Sequence, residues 1–314
     1  MYSEESSDFM FLEDIIKQYG EIITDVHTIG TRVAVQTTKG LKLADYEVSD
    51  GLGAKILKER GIDSSGEVAG RRIRIHVSRI GGNVCDLSIR VHPQHIRTMQ
   101  ECDAPPEVVD LTNKRAGLII VAGHTGSRKT TLVSAMLDRI NTNRDAVIIT
   151  VEDPVELIHT PKRSIVRHKE VGPELGWNDA LRDLYRENAD VILIGETRDY
   201  DAINAALDLA LSGKLVITTL HASCVEDAIR QFVGRAPADK IEIVANNMAD
   251  AVSAIIVQRV TMDRIFQREY MIFSETDRQL LRDTKRFKDI SSSLADRARQ
   301  KKPGYAVFPA ENHG

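Results

Sequence analysis

The sequence predicts an α/β fold with a parallel sheet, on the basis of its apolar runs and of a helical pattern between two of them. Four runs are apolar and rich in β-branched residues, at 118–122, 146–151, 191–194 and 215–220. Such runs are typical of parallel strands that are buried on both faces of a sheet. Residues 200–211 repeat apolar positions at helical spacing and are followed by Gly213, as expected of a crossover helix.

The first third of the chain has a different pattern, which predicts a smaller α+β domain. Residues 8–19 form an amphipathic helical pattern, and three segments alternate like half-buried strands, at 32–38, 72–78 and 84–91. The stretch Cys-Asp-Ala-Pro-Pro-Glu that follows predicts a linker. We therefore predict an N-terminal domain over 1–100, a linker over 101–115 and a larger α/β domain over 116–314.

Composition limits the class of protein. The chain has 314 residues, enough for two domains, and a formal net charge of −4. An acidic balance argues against a nucleic-acid partner, because wide nucleic-acid binding normally needs a basic face. The sequence contains no apolar run of membrane-spanning length and does not begin like a signal peptide. Three scattered cysteines lack metal-ligand spacing, so we expect reduced thiols in a cytoplasmic protein.

A glycine-rich loop after the first apolar run predicts phosphate binding. The segment Gly-His-Thr-Gly-Ser-Arg-Lys-Thr-Thr at 123–131 precedes a helical pattern that includes Leu132 and Met136. A loop of this kind holds nucleotide phosphates with backbone N–H groups at a helix N-terminus. An ordinary turn before a helix is the alternative, but the strand–loop–helix context favours nucleotide binding.

Each residue type in the loop suits one part of a nucleotide. The β-phosphate is expected to be surrounded by the backbone N–H groups of Gly123, Thr125, Gly126, Ser127 and Lys129. The Lys129 ammonium reaches the β- and γ-phosphates, and the Thr130 hydroxyl is a ligand for Mg²⁺. Thr131 supports the start of the helix, whose N-terminal partial charge also favours an anion.

Arg128 departs from the loop pattern G-x-x-x-x-G-K-[ST], which has glycine before the lysine. Glycine suits that position because the backbone passes close to phosphate and can adopt conformations that a β-carbon disfavours. The Arg128 side chain can point to solvent, or it can occupy the phosphate space with its own charge. The sequence leaves both possibilities open.

Polar residues lie just after each of the other three apolar runs. Glu152 directly follows the second run, Glu196 follows the third after Gly195, and His221 directly follows the fourth. Open α/β sheets bind ligands at the carboxyl ends of their strands, where a carboxylate can hold Mg²⁺ or orient the attacking water. Helix caps and loop hydrogen bonds are the ordinary alternatives. Two such carboxylates after a phosphate loop favour the functional interpretation, and His221 is placed to sense a γ-phosphate.

Four motifs together resemble one family. Gly-His-Thr-Gly-Ser-Arg-Lys-Thr-Thr resembles a Walker A loop, Thr-Val-Glu-Asp-Pro-Val-Glu an Asp box, Val-Ile-Leu-Ile-Gly-Glu-Thr-Arg-Asp an atypical Walker B, and Thr-Leu-His-Ala-Ser a His box. In this order they resemble the secretion ATPases of type IV pili and of type II and IV secretion systems, most closely the pilus-retraction branch. The resemblance covers residues 70–275.

The resemblance implies an architecture and a mechanism. The first domain is expected to be PAS-like and the second RecA-like, in a homo-hexamer that docks on an inner-membrane platform protein of a pilus or secretion system. It implies ATP or ADP and Mg²⁺ as ligands, Glu152 as the residue that activates water, and Glu196 as support for the metal and the γ-phosphate.

Two arginines gain a possible role from the same resemblance. Arg90 lies in Leu-Ser-Ile-Arg-Val-His-Pro, which is similar to a family stretch whose arginine faces nucleotide, and guanidinium suits phosphate oxygens. Arg186 matches an arginine that acts across a subunit interface. The alternatives are a solvated sheet face for Arg90, and for Arg186 a helix-surface salt bridge with Asp183 or Glu187.

We therefore expect an ATP-hydrolysing motor subunit that is cytoplasmic and peripheral at the inner membrane. Retraction, secretion and conjugative transfer are all compatible with the motifs. One alternative is a nucleotide-binding but catalytically weak structural or regulatory subunit, because Arg128 replaces the glycine. A RecA-type nucleic-acid motor is the second alternative, and the acidic balance disfavours it.

Overall fold

The computed structural model describes residues 9–80, 84–172, 174–260, 266–286 and 305–309. They divide into two compact units, one within residues 1–96 and 154–158, and one within 97–153 and 159–314. The termini of the predicted domains, residues 1 and 314, lie outside the described residues. None of the described helices is both long enough and apolar enough to cross a membrane.

The first unit is built on an antiparallel sheet. Its elements are α1 (Met10–Tyr19), β1 (Ile23–Ile29), β2 (Arg32–Thr37), β3 (Gly40–Glu47), α2 (Leu52–Arg60), β4 (Asp63–Val68), β5 (Arg71–Ile80) and β6 (Val84–Val91). The strand order is β3-β2-β1-β6-β5-β4. Strands β2, β5 and β6 agree with the predicted strands to within two residues, and α1 agrees with the predicted helix, whose residue 8 lies outside the described residues.

The core of the first unit lies between the sheet and its helices. Residues Leu12 and Ile15 of α1 are fully buried against Val26, Ile75 and Ile89 of the sheet. Alternate residues of β5, by contrast, lie half-buried or exposed on the opposite face. This inside–outside alternation is what the sequence pattern predicts for antiparallel strands.

The second unit contains a mostly parallel sheet with helices on both faces. Its elements are α3 (Pro106–Asp110), β7 (Gly117–Gly123), α4 (Lys129–Asn143), β8 (Val147–Glu152), β9 (Ile165–Glu170), α5 (Trp177–Leu184), β10 (Val191–Ile194), α6 (Tyr200–Leu211), β11 (Leu215–Leu220), α7 (Val225–Gly234), α8 (Ile241–Ala251), β12 (Val252–Val260), β13 (Phe266–Ile272), α9 (Glu275–Arg282) and β14 (Tyr305–Pro309). The strand order is β14-β13-β12-β7-β11-β10-β8-β9.

The pairing of these strands confirms the predicted parallel sheet. The strands from β12 to β9 in this order are parallel, and β13 and β14 add an antiparallel edge. Strand β7 is buried on both faces, because Leu118 and Ile120 contribute to one apolar cluster and Ile119 and Val121 to the other. Helix α6 spans the predicted residues 200–211.

Residues 101–115, for which we predict a linker, lie within the second unit and are partly helical. They contain α3 and a 3-10 helix at Leu111–Asn113. Val108 and Leu111 are buried among residues of β7 and α4. The division into domains over 1–100, 101–115 and 116–314 remains a prediction.

Candidate nucleotide-binding site

The phosphate loop connects β7 to α4, as the sequence predicts. Gly123 ends the strand with φ at 148°, and Gly126 has φ at 80°, both in the region that favours glycine. A β-carbon on Gly123 would collide with the Gln258 backbone oxygen and with the Ser127 hydroxyl. Gly123 is therefore required for the close packing of the loop on β12, which pairs Gln258 with Gly123.

Arg128 adopts the left-handed conformation that the glycine pattern predicts, with φ at 65° and ψ at 30°. A non-glycine residue in this conformation costs roughly 1–2 kcal/mol. The residue is exposed, and its carbonyl oxygen accepts the Leu132 N–H at 3.2 Å, the first hydrogen bond of α4. The loop therefore keeps the backbone course that glycine would give it.

Lys129 is the first residue of α4, and its side chain turns back across the loop. The ammonium nitrogen Nζ donates to the carbonyl oxygens of Gly123 at 2.7 Å and His124 at 3.0 Å. The hydroxyl of Ser127 is buried and has no hydrogen-bond partner among the described residues. A cation and an unsatisfied donor therefore lie within one loop, a combination that suits an anionic ligand.

The N-terminus of α4 completes the phosphate cradle. The helix runs for 15 residues and has no acidic residue in its first turn, so its N-terminal partial positive charge is not neutralised by its own side chains. Thr130 and Thr131 are half-buried in that turn. The cradle fits the phosphates of ATP or ADP by the chemistry of its donors.

Glu152 and Glu196 lie at the ends of neighbouring parallel strands. Strands β8 and β10 pair Val151 with Ile194, and the Gly195 N–H donates to the Val151 carbonyl at 2.8 Å. A β-carbon on Gly195 would lie only 3.0 Å from that carbonyl oxygen and 3.3 Å from Glu152. The glycine before Glu196 therefore permits the close approach of the two strand ends.

His221 contacts Glu196, as expected for neighbouring strand ends. The His221 Nε2 atom lies 3.4 Å from Glu196 Oε1. Burial lowers the pKa of His221 below 6.5, and the positive charge of Lys129 lowers it further, against the opposing effect of Glu196. Burial and the positive charge of Lys129 thus both favour the neutral imidazole.

Arg198, which was not predicted from the sequence as a site residue, links the two acidic motifs. Its Nε atom lies 2.9 Å from Glu196 Oε2, and its Nη1 atom lies 3.4 Å from Asp153 Oδ2. The hydrogen bond to Glu196, with the charge of that carboxylate and of Asp153, raises the pKa of Arg198. The signal for it was an arginine two residues after a strand-end glutamate.

A second missed residue, His168 of β9, lies beside Glu152. Its Nε2 atom accepts the His159 backbone N–H at 3.1 Å, so the neutral ring carries its proton on Nδ1. That nitrogen lies 2.9 Å from the Thr150 hydroxyl and 3.7 Å from Glu152 Oε1. The His159 and His168 rings are stacked, with centroids 5.5 Å apart. Strand β9 is polar, and the sequence carries no clear signal that it pairs with β8.

Arg90 and Arg186 are not among the residues that these contacts bring together. Arg90 belongs to the first unit, where its Nε atom lies 3.1 Å from Asp25 Oδ1. Arg186 lies exposed in the turn after α5. The two acidic residues named as its alternative partners pair with Lys169 of β9, at 2.9 Å for Asp183 and 2.8 Å for Glu187.

The described residues contain no cluster of three or more histidine, cysteine or acidic side chains able to hold a metal ion. Mg²⁺ bound through one or two protein groups and the nucleotide phosphates needs no such cluster. Thr130 in the first turn of α4 and Glu196 after β10 supply oxygen donors of the type that Mg²⁺ prefers.

The chain is similar to known proteins over most of its length. The type IV pilus retraction ATPase PilT of Pseudomonas aeruginosa is 34% identical over 201 residues, which are 62% of this chain and 58% of that protein. The twitching motility protein of Neisseria gonorrhoeae is 34% identical over 220 residues, 68% of this chain and 59% of that protein. The chain thus spans less than two thirds of the length of these relatives.

Solved structures share the fold over a larger part of the chain. A crystal structure of the pilus retraction motor PilT with bound ADP matches 94% of this chain and 94% of that chain, at 30% identity and a TM-score of 0.79. The ATPase DotB of Legionella pneumophila matches 95% of this chain and 89% of that chain, at 22% identity and a TM-score of 0.78. These matches confirm the α/β fold class.

The family resemblance seen in the motifs is also confirmed. A family model described as type II/IV secretion system protein matches residues 75–296, a range that contains the phosphate loop, both strand-end glutamates and His221. The chain belongs to the type II/IV secretion system protein family.

Proposed function

We propose that the chain is an ATP-hydrolysing motor subunit that powers a type IV pilus or a related secretion apparatus. The observation that carries this proposal is the phosphate loop, which brings the Lys129 ammonium and the buried Ser127 hydroxyl together at the start of α4. The contact between Glu196 and His221 at neighbouring strand ends supports it. The likeness to PilT, described as a pilus retraction ATPase and as a motor with bound ADP, supports it.

In this proposal the loop binds the phosphates of ATP or ADP. The binding residues are Gly123, Thr125, Gly126, Ser127, Arg128, Lys129, Thr130 and Thr131. The Lys129 ammonium would exchange the carbonyl oxygens of Gly123 and His124 for phosphate oxygens, and Thr130 and Glu196 would hold Mg²⁺. When bound, Mg²⁺ neutralises charge that develops on the phosphates.

Glu152 is the residue we assign to water activation. It ends β8 with its side chain only 12% exposed, so its carboxylate is shielded from bulk solvent. His221, which lies next to Glu196, is placed to form a hydrogen bond near the γ-phosphate. Arg90 and Arg186 remain candidates for contacts with nucleotide.

The finer architecture and the partners belong to the same proposal. We infer a PAS-like first domain and a RecA-like second domain, a homo-hexamer, and a docking partner in the inner-membrane platform of the pilus or secretion system. The protein is then cytoplasmic and peripheral at the inner membrane. The net charge of −4 supports the absence of a nucleic-acid partner.

The left-handed conformation of Arg128 supports a hydrolysing enzyme rather than a catalytically weak subunit. The exposed residue keeps the backbone course of a glycine loop, so the replacement does not by itself remove the phosphate cradle. The likeness to proteins described as ATPases points the same way.

Phosphate release from ATP by the purified chain, measured with and without Mg²⁺, tests this proposal. Lys129→Ala is expected to abolish tight ATP binding and hydrolysis, because it removes the lysine charge that the loop aims at the phosphates. Lys162→Ala is the matched control, because Lys162 pairs with Asp138 at 2.8 Å within the same unit. Equal ATP affinity in Lys129→Ala and the unmodified chain contradicts the proposal.

A further inference from the structure

The amide of Gln258 and the guanidinium of Arg268 form a buried polar pair behind the phosphate loop. Gln258 is 1% exposed and Arg268 is 3% exposed. They are register partners on β12 and β13, and Gln258 is also the register partner of Gly123 at the end of β7. The pair therefore lies directly beside the strand end from which the loop departs.

The Gln258 side chain reaches from this position to the backbone of Arg128. We assign the amide so that its oxygen faces Arg268, because the opposite orientation sets the amide oxygen against the Arg128 carbonyl oxygen and the amide nitrogen against the guanidinium. In the assigned orientation the amide nitrogen donates to the Arg128 carbonyl oxygen at 2.9 Å, and the amide oxygen accepts from Arg268 Nη2 at 3.0 Å. Gln258 thus joins Arg128 to the interior of the sheet.

Arg268 is in turn anchored to the segment before α3. Its Nη1 atom donates to the Asp103 carbonyl at 2.6 Å, and its Nη2 atom donates to the Cys102 carbonyl at 2.8 Å. A guanidinium held by several carbonyl oxygens has little freedom to rotate, so it fixes the amide that contacts the loop. The chain of contacts runs from residues 102–103 through Arg268 and Gln258 to Arg128.

We propose that Gln258, held by Arg268, is a positioning residue that keeps Arg128 in its left-handed conformation and thereby keeps the phosphate loop ready for nucleotide. A glycine at 128 reaches this conformation without a steric penalty, whereas arginine does not. The Gln258 hydrogen bond offsets that penalty by fixing the carbonyl of residue 128. The inference rests on the proposed nucleotide-binding function of the loop.

A double-mutant cycle on the full chain tests this inference, with ADP affinity measured by calorimetry in the presence of Mg²⁺. Gln258→Met keeps the side-chain volume but removes the amide. In the Arg128 background it should weaken ADP binding about tenfold, in line with the cost of a left-handed residue. In the Arg128→Gly background the same change should weaken it by less than about threefold, because glycine needs no such support.

Thermal unfolding of the same four proteins separates positioning from general stability. Gln258→Met should lower the melting temperature equally in both backgrounds, because buried hydrogen-bond partners are lost in each. Arg128→Gly should therefore restore the ADP affinity but not the melting temperature. Tyr270→Phe is the matched control on β13, because it removes the hydrogen bond to Glu107 at 3.1 Å and should leave ADP affinity unchanged. If Gln258→Met fails to fold, Gln258→Asn replaces it, because asparagine keeps the amide but is too short to reach Arg128. It should weaken ADP binding with Arg128 present, and Arg128→Gly should restore the affinity.

Three outcomes are informative, and they distinguish the positioning role of Gln258 from the proposed function. Equal loss of ADP affinity in both backgrounds, or no loss with Arg128 present, overturns the positioning role of Gln258 and leaves the proposed function intact. Failure of the unmodified chain to bind ADP overturns the proposed function, and the positioning role with it.

Discussion

The Nε2 atom of His221 lies 3.4 Å from the Oε1 atom of Glu196. The contact arises because β10 and β11 are parallel neighbours and end at the same edge of the sheet. Arg198 holds the second carboxylate oxygen of Glu196 at 2.9 Å. Both oxygens are therefore oriented by other side chains, which limits the rotation of a group that we assign to metal binding.

Glu196→Gln should impair the use of Mg²⁺ more than the binding of nucleotide itself. The amide retains the size of the carboxylate but loses its charge, so we expect at least about a tenfold lower hydrolysis rate and a higher Mg²⁺ concentration for half-maximal rate. Phosphate release over a Mg²⁺ titration measures both. Asp201→Asn, on the exposed first turn of α6, is the control. The same Mg²⁺ dependence in the unmodified chain, in Glu196→Gln and in Asp201→Asn would argue against a metal role for Glu196.

Arg128→Gly should change nucleotide affinity and hydrolysis rate by less than about threefold, because the loop already follows the course that glycine allows. The residue has φ at 65°, and its side chain is exposed rather than enclosed in the loop. Calorimetry with ADP and a steady-state hydrolysis assay measure the two quantities. A much higher ADP affinity and a much higher hydrolysis rate in Arg128→Gly would mean that the Arg128 side chain obstructs the phosphates.

Protonation of His92 should destabilise the protein at acidic pH. Burial, with the charges of Arg90, Arg72 and Arg74, lowers the pKa of His92 to about 4. The unfolded chain, with a histidine pKa near 6.5, therefore binds more protons than the folded chain as the pH falls from about 7 to about 4. Because of His92, the free energy of unfolding should fall by about 3 kcal/mol between pH 7 and pH 4.

His92→Gln tests the histidine contribution, since glutamine does not titrate. Urea unfolding of both proteins at several pH values from 7 to 4 gives the two profiles. The free energy of unfolding of the unmodified chain should fall more steeply, by about 3 kcal/mol in total. Parallel profiles would show that the His92 side chain titrates normally in the folded state.

The parallel sheet and the loop were predictable because their signals are local. Continuous apolar runs fix β7, β8, β10 and β11, and a strand–glycine–helix pattern fixes the phosphate loop. The Glu196–His221 contact follows from these strands once they are parallel, since their carboxyl ends meet at one edge.

The remaining features depend on pairings that are distant in sequence. Strand β9 is polar, and its place beside β8, which brings His168 to Glu152, depends on the order of strands in the sheet. Gln258 and Arg268 are residue types that are usually exposed, and only the pairing of β12 with β7 and β13 buries them. No local pattern predicts either contact.

The central claim is that this chain hydrolyses ATP with Glu152 as the residue that activates water. Glu152→Gln should bind ATP with an affinity within about threefold of the unmodified chain, but hydrolyse it about 10²–10⁴-fold more slowly, because the amide cannot accept a proton. The direct measurement is the ratio of ATP to ADP bound to each protein after incubation with Mg·ATP. We predict ADP on the unmodified chain and intact ATP on Glu152→Gln. Intact ATP on both proteins, or ADP on both, would contradict the claim.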